Sequence, residues 1–282
     1  MPSLPDVMIP DAARLAAQQA NEGSGHAPAP DADQDALFEF LLRMGDNALI
    51  LGHRNSEWCG HGPVLEEDIA LANMALDLIG QTSLWLGLAG EVEGKGRSAD
   101  DLAYLRDAWD FRNLLLVERP NGDFAATLMR QFLFDAFHYH QLTGLLKSAD
   151  QRVADIAAKA LKEVSYHLER SAEQVIALGD GTTESHRRMQ DALDDQWNYA
   201  LEMFLSDETD KAMADAGVAP DPASLRAAWD DTVTSVLTEA TLTIPDSTYV
   251  QKGGKQGTHT EHLGFILAEM QFLQRAYPGA SW

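Results

Sequence analysis

The chain has 282 residues with 44 acidic against 21 basic side chains, a formal net charge of −23. That balance argues against a nucleic acid or an anionic membrane surface as partner, because both demand a basic face. A composition 45% hydrophobic and 23% charged is that of a globular chain with a sizeable core, and the single cysteine, Cys59, excludes an internal disulfide, a CxxC pair and an iron-sulfur ligand set.

Asp6 and Asp11 stand where a signal peptide would carry basic residues, so an intracellular, soluble protein is the expectation. A short helical piece around 12–20, then Gly23, Gly25, Pro28 and Pro30, predict a mobile arm over 1–34 that stays outside the core. From Asp35 the apolar residues fall at three- and four-residue steps, Leu37, Leu41, Met44, Ala48 and Leu51, which predicts a first helix ending near His53. Pro63 followed by Glu66, Glu67 and Asp68 opens a second helix running to about Gly87, its acidic first turn matching the helix dipole.

Glycines at 90–96 predict a loop, followed by a short helix over 99–109 and an apolar segment over 114–117. A connection of this length joins distant helix ends. Pro120-Asn121-Gly122 makes a turn, Asp123 caps a third helix over 124–147, and a fourth follows Asp150 and ends near Leu178. Gly179-Asp180-Gly181 with Thr182 and Thr183 makes the stop and the next cap, a fifth helix covers 184–205, Asp221-Pro222 opens another through Ala240, and the last covers 260–276. A short extended piece over 240–244 is the sole strand candidate, and no run of 18 unbroken apolar residues marks a membrane span. The prediction is an all-α chain with one domain over 35–282. Two helices, a long crossover and two helices joined by a short turn give a ferritin-like four-helix bundle with additional C-terminal helices.

Polar residues interrupt the apolar faces of the long helices: Asp46, Asp77, Asp135 with His138, and Glu163 with His167. A buried carboxylate is costly unless it is paired or binds a cation. Carboxylate di-iron bundles use Glu-x-x-His on two helices, and the match here is partial. Gly80 stands three residues after Asp77 where a histidine would stand, Glu163 and His167 are four apart, and Asp135 has the right spacing to His138 but a shorter side chain. Two readings follow: an atypical di-iron centre, or a hydrogen-bonded core network drawing on arginines such as Arg43 and Arg130.

Other features read as structural. The segment 253–258, GGKQGT, lacks the order of a phosphate loop and predicts a flexible link. His259 and His262 lie too close together on a helix start to converge on one metal, so Thr260 is expected to cap. Cys59 has no catalytic partner and reads as a packed thiol, and Trp58, Trp85, Trp109, Trp197 and Trp229 read mostly as core.

The strings LLRMGDNALILGHRNSEWCGHGPVLEEDIALANMAL (41–76), LDLIGQ (76–81), NLLLVERPNGDF (113–124), LKEVSYHLERS (161–171), LGDGT (178–182) and GTHTEHLGFILAEMQFLQRAYPG (257–279) resemble the C-subunit family of bacterial phenylacetyl-CoA epoxidases. The resemblance covers about 35–282. It implies a ferritin-like, non-catalytic companion of a related catalytic A-subunit, which holds the di-iron centre and epoxidises the aromatic ring. On that implication this chain has no catalytic residue, binds no metal or other cofactor, and keeps Asp46, Asp77, Gly80, Asp135, His138, Glu163 and His167 as degenerate, structural di-iron positions. The expected assembly is cytoplasmic, an A2C2 core with further subunits, touching neither nucleic acid nor membrane. Phenylacetyl-CoA is expected to be met mainly through the partner, since a surface at −23 repels a polyphosphate. Asp110, Phe111, Arg112, Asn113 and Lys211 are the expected substrate edge on this chain. The rival expectation is an active di-iron oxygenase using the same acids and histidines.

Overall fold

The computed structural model describes residues 28–29 and 32–280, so the helical piece predicted around 12–20 and most of the predicted arm lie outside the described residues. Helix α1, Gln34–Ser56, starts where Asp33 accepts from the backbone N–H groups of Asp35 and Ala36. Helix α2, Leu65–Glu93, carries its acids in the first turn and stops at Gly94, whose left-handed φ of 68° suits glycine. It runs past Gly87 and Gly90, beyond the predicted end, because no proline or left-handed residue interrupts it earlier.

The crossover contains α3, Ala99–Tyr104, a 3-10 turn at Ala108–Asp110, and the single turn α4, Leu115–Glu118, in place of one helix over 99–109. Helices α5, Phe124–Leu145, and α6, Gln151–Gly179, follow, with Asp123 and Asp150 accepting first-turn N–H groups as caps. Helix α7, Thr183–Ala200, is capped by Thr182 and ends in a 3-10 turn at Leu201–Phe204. Then come α8, Glu208–Asp215, too short for its periodicity to stand out in the sequence, a 3-10 turn at Pro222–Leu225, and α9, Arg226–Glu239. The chain closes with α10, Glu261–Met270, and α11, Phe272–Ala276, in place of one continuous helix. No strand occurs among the described residues: the piece predicted over 240–244 is irregular, with Thr241 at a φ of 58°.

The bundle proper is α1, α2, α5 and α6. Thr82 bonds the Gly45 carbonyl while Gly52 lies against Leu78, so α1 and α2 run antiparallel, and a Cβ on Gly45 would fall 2.5 Å from Leu86 Cδ2. Along the α2–α6 seam Glu67 meets Arg170, Asp77 meets His167 and Gln81 meets Glu163, again antiparallel. Leu41, Leu51, Leu78, Trp85, Phe132 and Leu161 are among the residues that fill the interior. Helices α7 and α9 lie against α5 and α6, where Trp229 meets Trp197 at a tilt and Phe204 edge-on and its Nε1 donates to the Leu133 carbonyl at 3.0 Å. Trp109, by contrast, is exposed, as is Cys59, which corrects its reading as a packed thiol.

Helix α2 has an 18-residue window of mean hydropathy 1.2, which satisfies the length and composition of a membrane span although no unbroken apolar run exists. Half of that window is buried inside the bundle.

Candidate functional site

Asp46, in the middle of α1, is fully buried. Arg106 grips both its oxygens, through Nη2 to Oδ1 and through Nη1 to Oδ2 at 3.0 Å, and Arg112 N–H donates to Oδ2 at 2.8 Å. The guanidinium is itself buried, bonds the Leu102 and Asp110 carbonyls, and stacks 4.3 Å from the Phe111 ring centroid. A planar fork meeting both carboxylate oxygens is the geometry that offsets the cost of burying the pair. It also fastens the crossover to α1.

Asp135 on α5 is buried and accepts from Gln131 Nε2 at 2.7 Å and Ser171 Oγ at 2.9 Å, and Gln131 Oε1 in turn accepts from Asn55 Nδ2 at 2.8 Å. Burial pushes its carboxyl up to about 7, against a smaller opposing pull from His167 and its two donors. His138, one turn along, is pushed down to about 3 by burial and by the neighbouring His167, and its Nδ1 has no hydrogen-bond partner among the described residues. His138 is therefore a neutral imidazole, packed 5.1 Å from the Phe134 ring.

His167 Nε2 lies 3.0 Å from Asp77 Oδ2, with Asp77 partly exposed at the rim of the α2–α6 seam. Glu163 accepts from Gln81 Nε2 at 3.0 Å, and partial burial raises its pKa. Gly80 is exposed, and nothing lies within 4 Å of where its Cβ would be. This corrects its reading as a vacated ligand position: α2 turns Gly80 away from the bundle axis and presents Leu78, Gln81 and Thr82 instead.

A di-iron pair needs carboxylates and imidazoles whose lone pairs converge on one point. Here Asp46 is claimed by Arg106, Asp135 by Gln131 and Ser171, and Glu163 by Gln81, and Asp77 faces the rim. Among the described residues no three His, Cys, Asp or Glu side chains are grouped to hold a metal ion. The donor set does not fit a di-iron pair.

The network also differs from the arginines expected for it. Arg43 pairs with Asp207 and Asp210 at the α1–α8 contact, and Arg130 donates to the Arg119 carbonyl and Asn121 Oδ1, so neither reaches the core acids. Arg106 takes that part. Its signal was present: it stands four residues after Leu102 within the helix predicted over 99–109, although α3 itself ends at Tyr104. Gln131 four before Asp135, and Ser171 four after His167, carry the same signal of polar residues stacked on one buried face.

The expected substrate edge is a surface only in part. Phe111 and Asn113 are buried, Asn113 Nδ2 donates to Glu118, and Arg112 pairs with Glu39 at 2.9 Å and bonds two carbonyls. Asp110 and Lys211 alone of that set are exposed.

The segment predicted as a flexible link is pinned. The buried Glu202 carboxylate accepts from Leu115, Gly253 and Gly254 N–H at 2.9, 2.7 and 2.9 Å, and Lys255 pairs with Asp210 at 2.6 Å. Next to it His259 Nδ1 lies 2.8 Å from Glu118 Oε2 and its Nε2 lies 3.0 Å from the Phe111 carbonyl. Both ring nitrogens thus face acceptors, which requires both to donate. Burial opposes that charge, but the hydrogen bond and charge of Glu118, with the Phe111 carbonyl, raise the pKa of His259 above its ordinary value. Thr260 occupies the N-cap position of α10, yet its hydroxyl makes no bond among the described residues, and its backbone N–H goes to Glu118 Oε1 at 2.7 Å. Glu118 thus holds the backbone N–H of the N-cap residue, and the side-chain cap expected of Thr260 is not formed among the described residues.

The family model described as phenylacetic acid catabolic protein matches residues 20–282. The chain is 49% identical over 246 residues to the C-subunit of the 1,2-phenylacetyl-CoA epoxidase of Escherichia coli (strain K12), covering 87% of this chain and 99% of that protein. The all-helical bundle and the matched span agree, and the chain belongs to the phenylacetic acid catabolic protein family.

Proposed function

We propose that this chain is the non-catalytic supporting subunit of a phenylacetyl-CoA epoxidase, assembled in the cytoplasm with a di-iron A-subunit in an A2C2 core to which further subunits attach. The bidentate capture of Asp46 by Arg106 carries the reading. A fixed guanidinium occupies both oxygens of a central carboxylate, and an iron would have to displace it and leave a buried cation unpaired. The relative's designation as the C-subunit of an epoxidase supports the placement in a multisubunit enzyme. Phenylacetyl-CoA is met through the catalytic partner, and the burial of Phe111 and Asn113 supports this by withdrawing two of the expected contact residues.

The purified chain is expected to carry no stoichiometric iron and to epoxidise nothing alone, while the complex with the A-subunit does both. Elemental analysis with single-turnover product detection tests this. Iron held stoichiometrically by the isolated chain, with ring epoxidation in the absence of the A-subunit, makes the chain an oxygenase in its own right.

A further inference from the structure

Four buried polar atoms on three helices of the bundle lack a partner among the described residues: Gln81 Oε1, Trp85 Nε1, His138 Nδ1 and His167 Nδ1. Their residues are 1%, 0%, 3% and 0% exposed, so bulk solvent does not serve them. The helices bring them to one region. On α2, Asp77, Gln81 and Trp85 stand four residues apart on one face, and a long helical side chain leans back over the turn before it, which lays the Trp85 indole over the turn of Gln81. Asp77 meets His167 and Gln81 meets Glu163, so α6 faces the same stretch of α2. Ser171 Oγ donates to Asp135 Oδ2 at 2.9 Å, and α5 and α6 are antiparallel. One turn on from Asp135 therefore sets His138 opposite the turn before Ser171, where His167 stands, and His138 is within reach of its charge.

The four atoms are chemically complementary. Trp85 Nε1 carries a hydrogen and can only donate, whereas Gln81 Oε1 can only accept. His167 gives its Nε2 hydrogen to Asp77, so Nδ1 of the neutral ring can only accept, and His138 Nδ1 takes either part with its tautomer. A buried polar atom left unpaired is costly, and native interiors answer such groups with ordered water. We propose that the centre of this bundle is an internal water site, in which buried water accepts from Trp85 Nε1, donates to Gln81 Oε1 and His167 Nδ1, and contacts His138 Nδ1. Only a species that donates and accepts at once meets all four. A metal or ammonium ion has no lone pair for the Trp85 hydrogen, and a carboxylate has no hydrogen for Gln81 and His167. The acids that would attract a cation are already claimed, Asp135 by Gln131 and Ser171, Glu163 by Gln81 with Lys159 nearby, and Asp77 by His167. Water thus does in this core what the metals do in a di-iron bundle, pairing the polar atoms that point inward.

A crystal structure of the full wild-type chain, at a resolution that shows ordered water and with data collected across the iron and zinc absorption edges, tests this. Density without anomalous signal is expected within hydrogen-bond distance of Trp85 Nε1, Gln81 Oε1 and His167 Nδ1. In solution, oxygen-17 relaxation dispersion counts long-lived internal water. Gln81→Leu with Trp85→Phe removes two of the four contacts, and His138→Phe removes a third independently; each is expected to lower the count by at least one, because an apolar cavity stays dry. Should either variant fail to fold, the wild-type density decides. A dry gap in that density, direct pairing of His138 with His167 or of Trp85 with Gln81, or an unchanged count in the folded variants overturns the proposal and leaves the supporting-subunit reading standing. A zinc signal between the two histidines likewise overturns the proposal alone, whereas an iron signal there overturns it together with the expectation that the chain carries no iron.

Discussion

Replacing Asp135 by asparagine isolates two opposed proton equilibria in the bundle core. The unfolded chain releases the Asp135 proton near 3.8, whereas the folded chain keeps it up to about 7 because burial penalises the carboxylate. Between those values the folded state binds more protons, so this group makes stability fall as pH rises. His138 works in the opposite sense. Unfolded, it takes a proton near 6.5, and folded only near 3, so it makes stability fall as pH drops through that interval. Each slope is about 1.4 kcal/mol per pH unit, and between about pH 4.5 and 6.5 they nearly cancel. Asp135→Asn removes one and keeps the hydrogen bonds, since an amide accepts from Gln131 and pairs with the Ser171 hydroxyl. The stability of the variant relative to the wild type is then expected to climb by roughly 3 kcal/mol from about pH 4.5 to 6.5. Chemical denaturation at stepped pH reads this directly, and His138→Gln is expected to tilt the difference the other way. Parallel profiles for wild type and Asp135→Asn would show that Asp135 is ionised throughout and that the burial argument is wrong.

Arg106→Met strands the Asp46 carboxylate in the core, and a loss of about 3–5 kcal/mol is expected in denaturation midpoints. Adding Asp46→Leu is expected to return much of it, and strictly additive losses would refute the pairing. Because the pKa of His259 is raised, its pairing with Glu118 contributes stability that is fully present below the ordinary value of 6.5 and is lost as pH rises through the higher folded value. Amide exchange over 251–260 should therefore quicken above neutrality beyond the intrinsic rate, and His259→Gln should abolish that step. Gly254→Ala places a Cβ 2.2 Å from the Asn113 carbonyl oxygen, and a cost of about 1–3 kcal/mol is expected, with quicker proteolysis of the same loop as a second readout.

Three- and four-residue periodicity, together with Asp123, Asp150 and Thr182 at helix starts, was sufficient for the long helices and the crossover between their pairs, because periodicity and capping are local properties. The same reasoning found that Asp46, Asp135, His138 and His167 sit on inner faces. It misplaced Gly80, since three residues from Asp77 is the right spacing for a ligand only if the helix is rotated to present both inward. Rotation of α2 is set by where Leu78, Trp85 and Leu86 pack, which no local rule contains.

The sequence thus determined which segments are helices, which residues interrupt their apolar faces and which family the strings resemble. Tertiary structure alone decided who answers those interruptions. Arg106 reaches Asp46 across 60 positions, and His259 reaches Glu118 across 141. Glu202 holds a glycine-rich segment that composition alone reads as loose. A buried charge is compensated by whatever the packing brings within about 3 Å, and that neighbour is fixed by how the helices dock rather than by any spacing along the chain.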